Sequence, residues 1–446
     1  MSKGVGEIDI SYAIIFRQRG TESGNTVPHL TSAGKHGISA HQLLYAKHVK
    51  KVRPSAGISN RRIAGPLLPY TKENGMFSVL RKIKASQPIG GKSSPRQIKE
   101  ILKLRLAPSP VGVGEYFDYG IWHSSVSDAR MKEFIGWRQS HQFDRSLNDD
   151  YSRILANDKL LNYLVLSSAG YPIPQPIATF STRGRRINGE RVLRNVDEVI
   201  DFLDTDAYPY YVKPISAGYG KGVVGVSARE GNGLRLMDGS LMTLDEFMRP
   251  FDFPPYQGML FQRPLVAHPA IQAITGTEAV SCVRFICFVT SSGPMIHTAF
   301  WKVAAGRNML DNFSHGDYGN CLGAINIDDG SITRSIARLG PGGVIDRHPT
   351  SGRPLTGFVL PDWKKATDLV LSASAHFPGL RLQNWDVALC PEGPVLLELN
   401  TESELNIPQA ISGRGFLDQR LRAILADIAT EKEQFRKSTL QRKYMR

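Results

Sequence analysis

The chain of 446 residues contains no run close to the roughly 20 apolar residues that a membrane-spanning helix needs. Its start, MSKGVGEIDISYAIIFRQRG, lacks the basic opening, the long apolar core and the cleavage site of a secretory signal. Cysteine is scarce, and Cys282, Cys287, Cys321 and Cys390 show no CxxC spacing. We therefore expect buried thiols in a reducing compartment, with neither disulfides nor a zinc site. These absences predict a cytoplasmic protein.

Acidic residues are scarce in the first quarter of the chain. Residues 1–110 hold 19 Lys and Arg against 5 Asp and Glu, and this excess equals the formal net charge of +14 of the whole chain. Such a surface attracts polyanions, so we expect an acidic glycan or an anionic inner-membrane surface as partner. A solvated basic face without a partner is the alternative. Stacking aromatics and RNA-recognition or zinc-finger signatures are missing, so no specific nucleic acid is expected.

The remaining composition is ordinary, with 41% hydrophobic and 22% charged residues, and the length allows two or three cores. Helical periodicity begins near Tyr116, for example in DARMKEFIGWRQSH, and strand-like segments dominate later, with helices near 195–204 and 362–376. The mixture predicts an α+β fold with antiparallel sheets. We predict five parts: a basic, mixed region at 1–110, a helical segment at 111–176, two subdomains at 177–262 and 263–415, and an amphipathic helix with a basic tail at 416–446.

The stretch YVKPISAGYGKGVVGV, residues 211–226, is expected to form a strand, a glycine loop and a second strand. Repeated glycines allow positive φ and let backbone N–H groups approach a ligand, and the lysines suggest that this ligand is anionic. A β-hairpin with a flexible tip and solvated lysines is the alternative. The loop is not a P-loop, because GxxxxGK[ST] is absent and a strand follows it.

The stretch NWDVALCPEGPVLLELN, residues 384–400, predicts a hairpin of two apolar strands. Glu398 and Asn400 are two apart, so both project from one face, while Leu397 and Leu399 project from the other. Asp386 is expected to reach the face of Glu398 only if the hairpin loop has an odd number of residues. In that register two carboxylates and an amide oxygen converge, which suits Mg²⁺. The alternative is a strand whose acids face solvent.

Arg284 is the only charged residue in AVSCVRFICFV, residues 279–289. A guanidinium among apolar neighbours needs an anionic partner, because an unpaired buried charge costs several kcal/mol. Either a structural carboxylate or a phosphate or carboxylate of a substrate satisfies this requirement.

In sequence order, these motifs resemble the ATP-grasp superfamily and, more narrowly, its sugar-transfer-associated branch, which is encoded with polysaccharide biosynthesis genes. The motifs are Lys159 opening a helix in NDK, Lys213 before SAGYGKG, the strand LFQRPLVAHP, Arg284, and the D…ExN set of Asp386, Glu398 and Asn400. The stretches at 112–136 and 310–320 are similar to that branch as well. The resemblance covers roughly residues 112–412.

The resemblance implies an ATP-grasp fold whose two subdomains clasp ATP, with the glycine loop in the first and Mg²⁺ in the second. Asp386, Glu398 and Asn400 would hold Mg²⁺, while Arg284 and Lys213 would be the catalytic cations. The residues that the resemblance places at ATP are Lys159, Lys213, Ser216, Gly218, Gly220, Lys221, Gly222, Gln262, Arg263, Leu265 and His268.

The chemistry implied is phosphorylation of a carboxylate by MgATP, followed by attack of an amine to form an amide. Asn312, His315 and Glu402 are candidate substrate contacts, although a polar turn or solvated loop acids would explain them equally. The expected substrates are a carboxylate and an amine, such as a sugar acid, an amino acid or a peptide. The sequence departs from the family pattern at two places, Ala267 before His268 and the acid-rich stretch TESELNIPQ. Both departures concern the identity of the substrate more than ATP binding. A phosphotransferase and a polyanion-binding protein with a regulatory nucleotide site are the rival predictions.

Overall fold

The computed structural model describes residues 76–107, 110–187, 189–205, 207–216, 222–252, 258–401 and 403–438. All of these described residues belong to one compact unit. Most of the predicted basic region, together with Gly218, Gly220, Lys221 and Glu402, lies outside the described residues.

Seven helices precede the first strand of the described chain. They are α1 (Met76–Ser86), α2 (Ser94–Arg105), α3 (Val113–Asp118), α4 (Asp128–Met131), α5 (Trp137–Leu147), α6 (Asp150–Asn157) and α7 (Lys159–Ser168). The Asp158 side chain accepts a hydrogen bond from the N–H of Leu161 at 3.1 Å and so caps α7. This cap fixes Lys159 as the first residue of the helix.

The stretch expected to be one helical pattern at 128–141 is divided into α4 and α5. Gly136 is the N-cap of α5 and has extended backbone geometry. A Cβ atom at Gly136 would collide with the carbonyl oxygen of Pro110, so only glycine allows this close approach. The periodicity correctly predicted helix before and after Gly136. It could not predict the break, which depends on the tertiary contact between Gly136 and Pro110.

The first sheet has seven strands in the order β2-β1-β7-β3-β4-β5-β6. Its strands are β1 (Pro176–Phe180), β2 (Arg191–Leu193), β3 (Tyr210–Pro214), β4 (Val224–Glu230), β5 (Gly233–Leu236), β6 (Leu241–Thr243) and β7 (Met259–Gln262). Only the β1–β2 pair is parallel. Two helices, α8 (Val196–Leu203) and α9 (Leu244–Asp252), contribute Val199, Phe202 and Phe247 to the same core cluster as the strands.

The second sheet also has seven strands, in the order β12-β11-β10-β9-β8-β13-β14, and all its pairs are antiparallel. They are β8 (Val283–Thr290), β9 (Gly293–Val303), β10 (Cys321–Ile325), β11 (Ile332–Ile336), β12 (Val344–Ile345), β13 (Leu382–Cys390) and β14 (Gly393–Asn400). The accompanying helices are α10 (Pro269–Thr275), α11 (Trp363–Ser374), α12 (Asn406–Ser412) and α13 (Gln419–Lys437). The prediction of α+β with antiparallel sheets is confirmed.

The N-terminal helices share a core with the second sheet. Ile83 of α1 and Ile101 of α2 belong to the same buried cluster as Phe288 of β8 and Leu425 of α13. The helices that precede residue 110 are thus packed as part of the compact unit rather than standing apart from it. The amphipathic C-terminal helix buries Leu421, Ile424, Leu425 and Ile428.

All four cysteines are free and buried, as expected. Burial raises the pKa of the Cys287 and Cys321 thiols to about 12 and that of Cys390 to about 11, so these thiols stay protonated and unreactive. Among the helices that the structure describes, none is long and apolar enough to cross a membrane.

Candidate functional site

A cavity of about 150 Å³ lies where the first sheet, helix α7 and the second sheet meet. Its wall from the first sheet includes Tyr211, Lys213 and Gln262, and its wall from the second includes Lys302 and Asp386. Seven of the residues predicted to bind ATP, metal or substrate line it: Lys159, Lys213, Gln262, Leu265, Asn312, Asp386 and Glu398. The structure therefore gathers residues that are more than 200 positions apart in the sequence around one space.

Asp386 and Glu398 are directly paired across β13 and β14, as predicted. The reason given for this pairing was wrong, because Cys390 pairs with Gly393 and leaves a hairpin loop of only two residues. That loop alone would set Asp386 opposite Leu397 and turn Glu398 to the other face. A β-bulge between the Asp386 and Val387 positions takes up Leu397 as an extra residue and restores the predicted pair.

The bulge also changes the position of Leu397, which was expected on the face opposite Glu398. Leu397 lines the cavity beside Glu398, whereas Leu399 is buried in the core as expected. The Leu397 carbonyl accepts a hydrogen bond from the Tyr163 hydroxyl at 2.8 Å, which connects the bulge to helix α7. A bulge beside a functional site is a common device for aiming a side chain.

Arg284 faces Asp386 from the neighbouring strand β8. Its Nε and Nη2 atoms donate to the two carboxylate oxygens of Asp386 at 2.7 and 2.6 Å. Burial opposes the charge of Asp386, but Arg284 and Lys302 outweigh it and hold the pKa of Asp386 below its ordinary value, at about 2. Of the two partners left open for Arg284, the structure provides the carboxylate of the chain itself.

Lys302 of β9 and Asp311 were not among the predicted site residues. The Lys302 ammonium lies 3.2 Å from Asp386 and 3.1 Å from Asp311, and both residues line the cavity. Asp311 is fixed in turn by accepting the backbone N–H of Cys282 at 2.7 Å. Lys302 is the only charged residue in AFWKVAA, so the argument applied to Arg284 would have found it.

Lys159 faces the other carboxylate of the hairpin. Its Nζ atom lies 2.9 Å from Oε1 of Glu398, whose side chain keeps 27% of its surface exposed. The Glu398 carboxylate is thus paired on one side and accessible from the cavity on the other.

Lys213 of β3 is buried and donates a hydrogen bond to the Tyr163 hydroxyl at 3.2 Å. Burial lowers the pKa of Lys213 to about 7, and the neighbouring charge of Lys159 adds to this effect while Glu398 opposes it. Near pH 7 the Lys213 amine is therefore close to half protonated, and an anion bound beside it would favour the charged form.

The glycine loop is described only at its edges. Ser216 is exposed and does not belong to the cavity wall, while Gly222 has a φ of +73° and lies against Pro214. The segments that flank the loop are the strands β3 and β4, as predicted, and they pair with each other in antiparallel orientation.

Three further predicted contacts, Arg263, His268 and His315, lie outside the cavity wall. The Arg263 guanidinium donates to the carbonyls of Ala207 and Tyr208. His268 caps α10, with Nδ1 accepting the N–H of Ala270 at 3.1 Å. His315 is exposed, with a φ of +61°. Their roles in ligand binding stay predictions.

The donor chemistry of the hairpin fits Mg²⁺. Two carboxylates stand side by side, and Asn400 lies two residues beyond Glu398 on the same strand. The buried amide nitrogen of Asn400 has no hydrogen-bond partner within the described part of the chain, so this amide is free to orient its oxygen toward a ligand. Cations now neutralise both carboxylates, and a divalent metal would take the place of those cations.

The chain is distantly similar to several solved structures. The chain is 15% identical to the ATP-grasp ligase PsnB complexed with minimal precursor, Mg and ADP, covering 64% of this chain and 62% of that one, with a TM-score of 0.31. It is 14% identical to the VanG D-Ala:D-Ser ligase from Enterococcus faecalis, covering 63% and 60%, with a TM-score of 0.33. It is 13% identical to the D-alanine–D-alanine ligase from Bacillus anthracis, covering 64% of this chain and 72% of that one, with a TM-score of 0.34.

The alignments span less than two thirds of the PsnB and VanG chains, and TM-scores this low carry no argument about function. A comparison with curated proteins found no significant match. The model of the family described as sugar-transfer associated ATP-grasp, in contrast, matches residues 138–426, which is more than half of the chain. These residues contain both sheets and every residue of the cavity wall. The chain therefore belongs to the sugar-transfer associated ATP-grasp family.

Proposed function

We propose that the protein is an ATP-dependent ligase that joins a carboxylate to an amine through an acyl phosphate and releases ADP. We further propose a sugar acid, an amino acid or a peptide as substrate, in polysaccharide or natural-product biosynthesis. The observation that carries the proposal is the pairing of cations with the two carboxylates that line the cavity, Asp386 and Glu398. Lys159 pairs with Glu398, and both Arg284 and Lys302 pair with Asp386. The cations of these pairs are suited to bind phosphate, and the carboxylates are suited to bind Mg²⁺.

These ion pairs engage the cations and carboxylates that the nucleotide and Mg²⁺ would contact. A volume of about 150 Å³ is below the roughly 300–1,000 Å³ of most ligand sites, so the sheets must move apart when a nucleotide enters. On binding, the phosphates would take over Lys159, Lys213, Arg284 and Lys302. Mg²⁺ held by Asp386, Glu398 and Asn400 would neutralise the phosphate oxygens. The phosphates would thus replace the carboxylates as partners of the cations, and Mg²⁺ would replace the cations as partner of the carboxylates. Every buried charge would stay paired.

The proposed reaction has two steps. An oxygen of the substrate carboxylate attacks the γ-phosphorus, the bond from that phosphorus to the β-phosphate oxygen breaks, and ADP leaves. The amine nitrogen then attacks the acyl carbon, the bond from that carbon to the phosphate oxygen breaks, and the amine proton passes to solvent. The cations of the chain would position the phosphates and offset the charge that develops on the transferred group.

The proposed role of each residue follows from its position in the cavity. Lys159 and Lys213 would hold the phosphates from the side of α7 and the first sheet, and Tyr163 would orient the Lys213 ammonium. Gln262, the last residue of β7, and Leu265, which follows that strand, would contact the adenine end. Asn312 lies beside Asp311 in the opposite wall and would face the substrate carboxylate.

The test is ADP release measured over a matrix of carboxylates and amines that contains uronic acids, amino acids and dipeptides. Glu398→Gln removes the charge at the cavity, and Glu392→Gln removes the same charge from the exposed hairpin turn as the matched control. We expect ADP release that needs both substrates, falls at least about a hundredfold in Glu398→Gln and is unchanged in Glu392→Gln.

An oxygen label separates ligation from phosphotransfer. When the active carboxylate carries ¹⁸O, an acyl phosphate route delivers one ¹⁸O atom to inorganic phosphate. A phosphorylated product without inorganic phosphate would assign a phosphotransferase instead. Equal activity of Glu398→Gln and the parent in every pool would overturn the proposal.

A further inference from the structure

A second, larger cavity of about 700 Å³ lies between helices α1, α2, α3 and α5. It shares no lining residue with the candidate active site. All of its wall except Arg138 precedes the residues that the family model matches. Its volume lies within the range typical of small-molecule sites, so it is large enough for a ligand of its own.

The wall of this cavity carries an excess of positive charge. Arg105 at the end of α2 and Arg138 in the first turn of α5 are exposed, and neither forms an ion pair with a described residue. Two unpaired guanidiniums at one concave site raise the local concentration of anions and match the planar geometry of carboxylate or phosphate groups.

Among the described residues of the wall, Glu115 alone carries a carboxylate, and the backbone already engages it. Glu115 accepts hydrogen bonds from the N–H groups of Gly112 and Trp137 with different oxygens, and the Tyr119 hydroxyl donates to it as well. Glu115 thus holds together the two loops that precede α3 and α5. An incoming anion therefore meets the two arginines, while the carboxylate faces its own backbone donors.

The same wall presents an aromatic ring. Trp137 keeps 51% of its surface exposed although its ring packs edge-on against His141, with 4.2 Å between the centroids. The wall around it is apolar or small, with Val79, Val113 and Gly114. A Cβ atom at Gly114 would meet nothing closer than 3.9 Å, so this glycine leaves open space.

We propose that this cavity binds an anionic saccharide, with the carboxylate or phosphate of the sugar on Arg105 and Arg138 and the apolar face of its ring against Trp137. The combination of two arginines with one exposed aromatic ring favours an anionic saccharide over a nucleic acid or an anionic membrane. A single-stranded nucleic acid needs successive aromatic platforms, and the described part of the wall has one, Trp137. An anionic membrane presents a flat surface, whereas this site is concave. The site is separate from nucleotide chemistry and does not depend on the proposed ligase activity.

The test is calorimetric titration of the full chain with tetragalacturonate, with neutral maltotetraose as the uncharged probe. Arg138→Gln and Trp137→Ala should each weaken tetragalacturonate binding about tenfold, as expected for a charge-assisted hydrogen bond and for a stacking contact. Maltotetraose should bind at least about tenfold more weakly than the acidic probe. Near-ultraviolet circular dichroism of each variant verifies that its fold is intact.

Arg422→Gln is the matched control, since Arg422 is exposed on α13 and its replacement changes the net charge equally. An equal loss in Arg422→Gln and Arg138→Gln would show attraction to the overall charge and overturn the proposal. Tighter binding of a tetranucleotide that also depends on Trp137 would assign the cavity to nucleic acid instead. No measurable binding of tetragalacturonate or galacturonate 1-phosphate would likewise overturn it.

Discussion

Arg284 and Asp386 face each other on the neighbouring strands β8 and β13, and the guanidinium donates one hydrogen bond to each carboxylate oxygen, at 2.7 and 2.6 Å. The Asp386 side chain is 7% exposed and that of Arg284 is 18% exposed, so this fork-to-fork pair is largely screened from water. A pair in this environment stabilises the fold only while both partners are present.

We expect Arg284→Met to lower the free energy of unfolding by about 3 kcal/mol, because a buried carboxylate then depends on Lys302 alone. The double variant Arg284→Met/Asp386→Asn should recover at least half of this loss, since no buried charge is left unpaired. Urea denaturation of the four proteins in the cycle measures both effects. A double variant that is less stable than the single one would contradict the interpretation.

Nucleotide affinity should depend on pH through Lys213, whose pKa burial lowers to about 7. Phosphate binds the protonated amine, so ADP affinity should fall as pH rises from 7 to 9, by at most tenfold for each pH unit. Lys213→Arg, which stays protonated, should remove this dependence. Titration of ADP at fixed Mg²⁺ and several pH values provides the measurement.

The same lysine predicts the pH dependence of stability. Between about pH 7 and the ordinary lysine pKa near 10.5, the unfolded chain binds the proton that folded Lys213 has released. The Lys213 contribution to stability therefore rises with pH in this window, and below pH 7 the full cost of burying the charge is present. Lys213→Met should flatten this rise in denaturant unfolding, and an unchanged profile would contradict the lowered pKa.

A lone charge in an apolar strand was sufficient to predict that Arg284 has an anionic partner, because the cost of a buried charge is a local rule. Alternation along β14 placed Glu398 and Asn400 on one face, but Asp386 pairs with Glu398 only because a β-bulge shifts the register. The antiparallel sheets and the helix that begins at Lys159 were also predicted from the sequence.

Other features depend on contacts that no local pattern encodes. The bulge at Leu397 breaks the alternation that was used to place it, and Asp311 reaches Lys302 only because its loop binds the backbone of Cys282. The pairing of Lys159 with Glu398 joins a helix to a strand more than 200 residues away. Such contacts are properties of the tertiary fold.

Lys302, which the sequence analysis missed, provides a further prediction. Lys302→Met should lower the free energy of unfolding by about 3 kcal/mol, because Asp311 and Asp386 both lose a cation in a buried site. Lys364→Met is the control, since Lys364 is 85% exposed and its pair with Asp368 contributes about 0.5 kcal/mol or less. Equal effects of the two substitutions on urea unfolding would show that the Lys302 network does not stabilise the fold.

The carboxylate of Glu398 should set the Mg²⁺ dependence of nucleotide binding, whatever the substrates are. Glu398→Gln keeps the shape of the side chain but removes the charge that a metal requires, so we expect ADP to raise the melting temperature only at about tenfold more Mg²⁺ or above. Lys159→Met removes the partner of Glu398 and should weaken ADP binding with and without Mg²⁺, because its ammonium is assigned to phosphate. Thermal unfolding at fixed ADP over a range of Mg²⁺ concentrations distinguishes the two variants. If Glu398→Gln follows the Mg²⁺ curve of the parent, the metal lies elsewhere and the carboxylate serves only to neutralise Lys159.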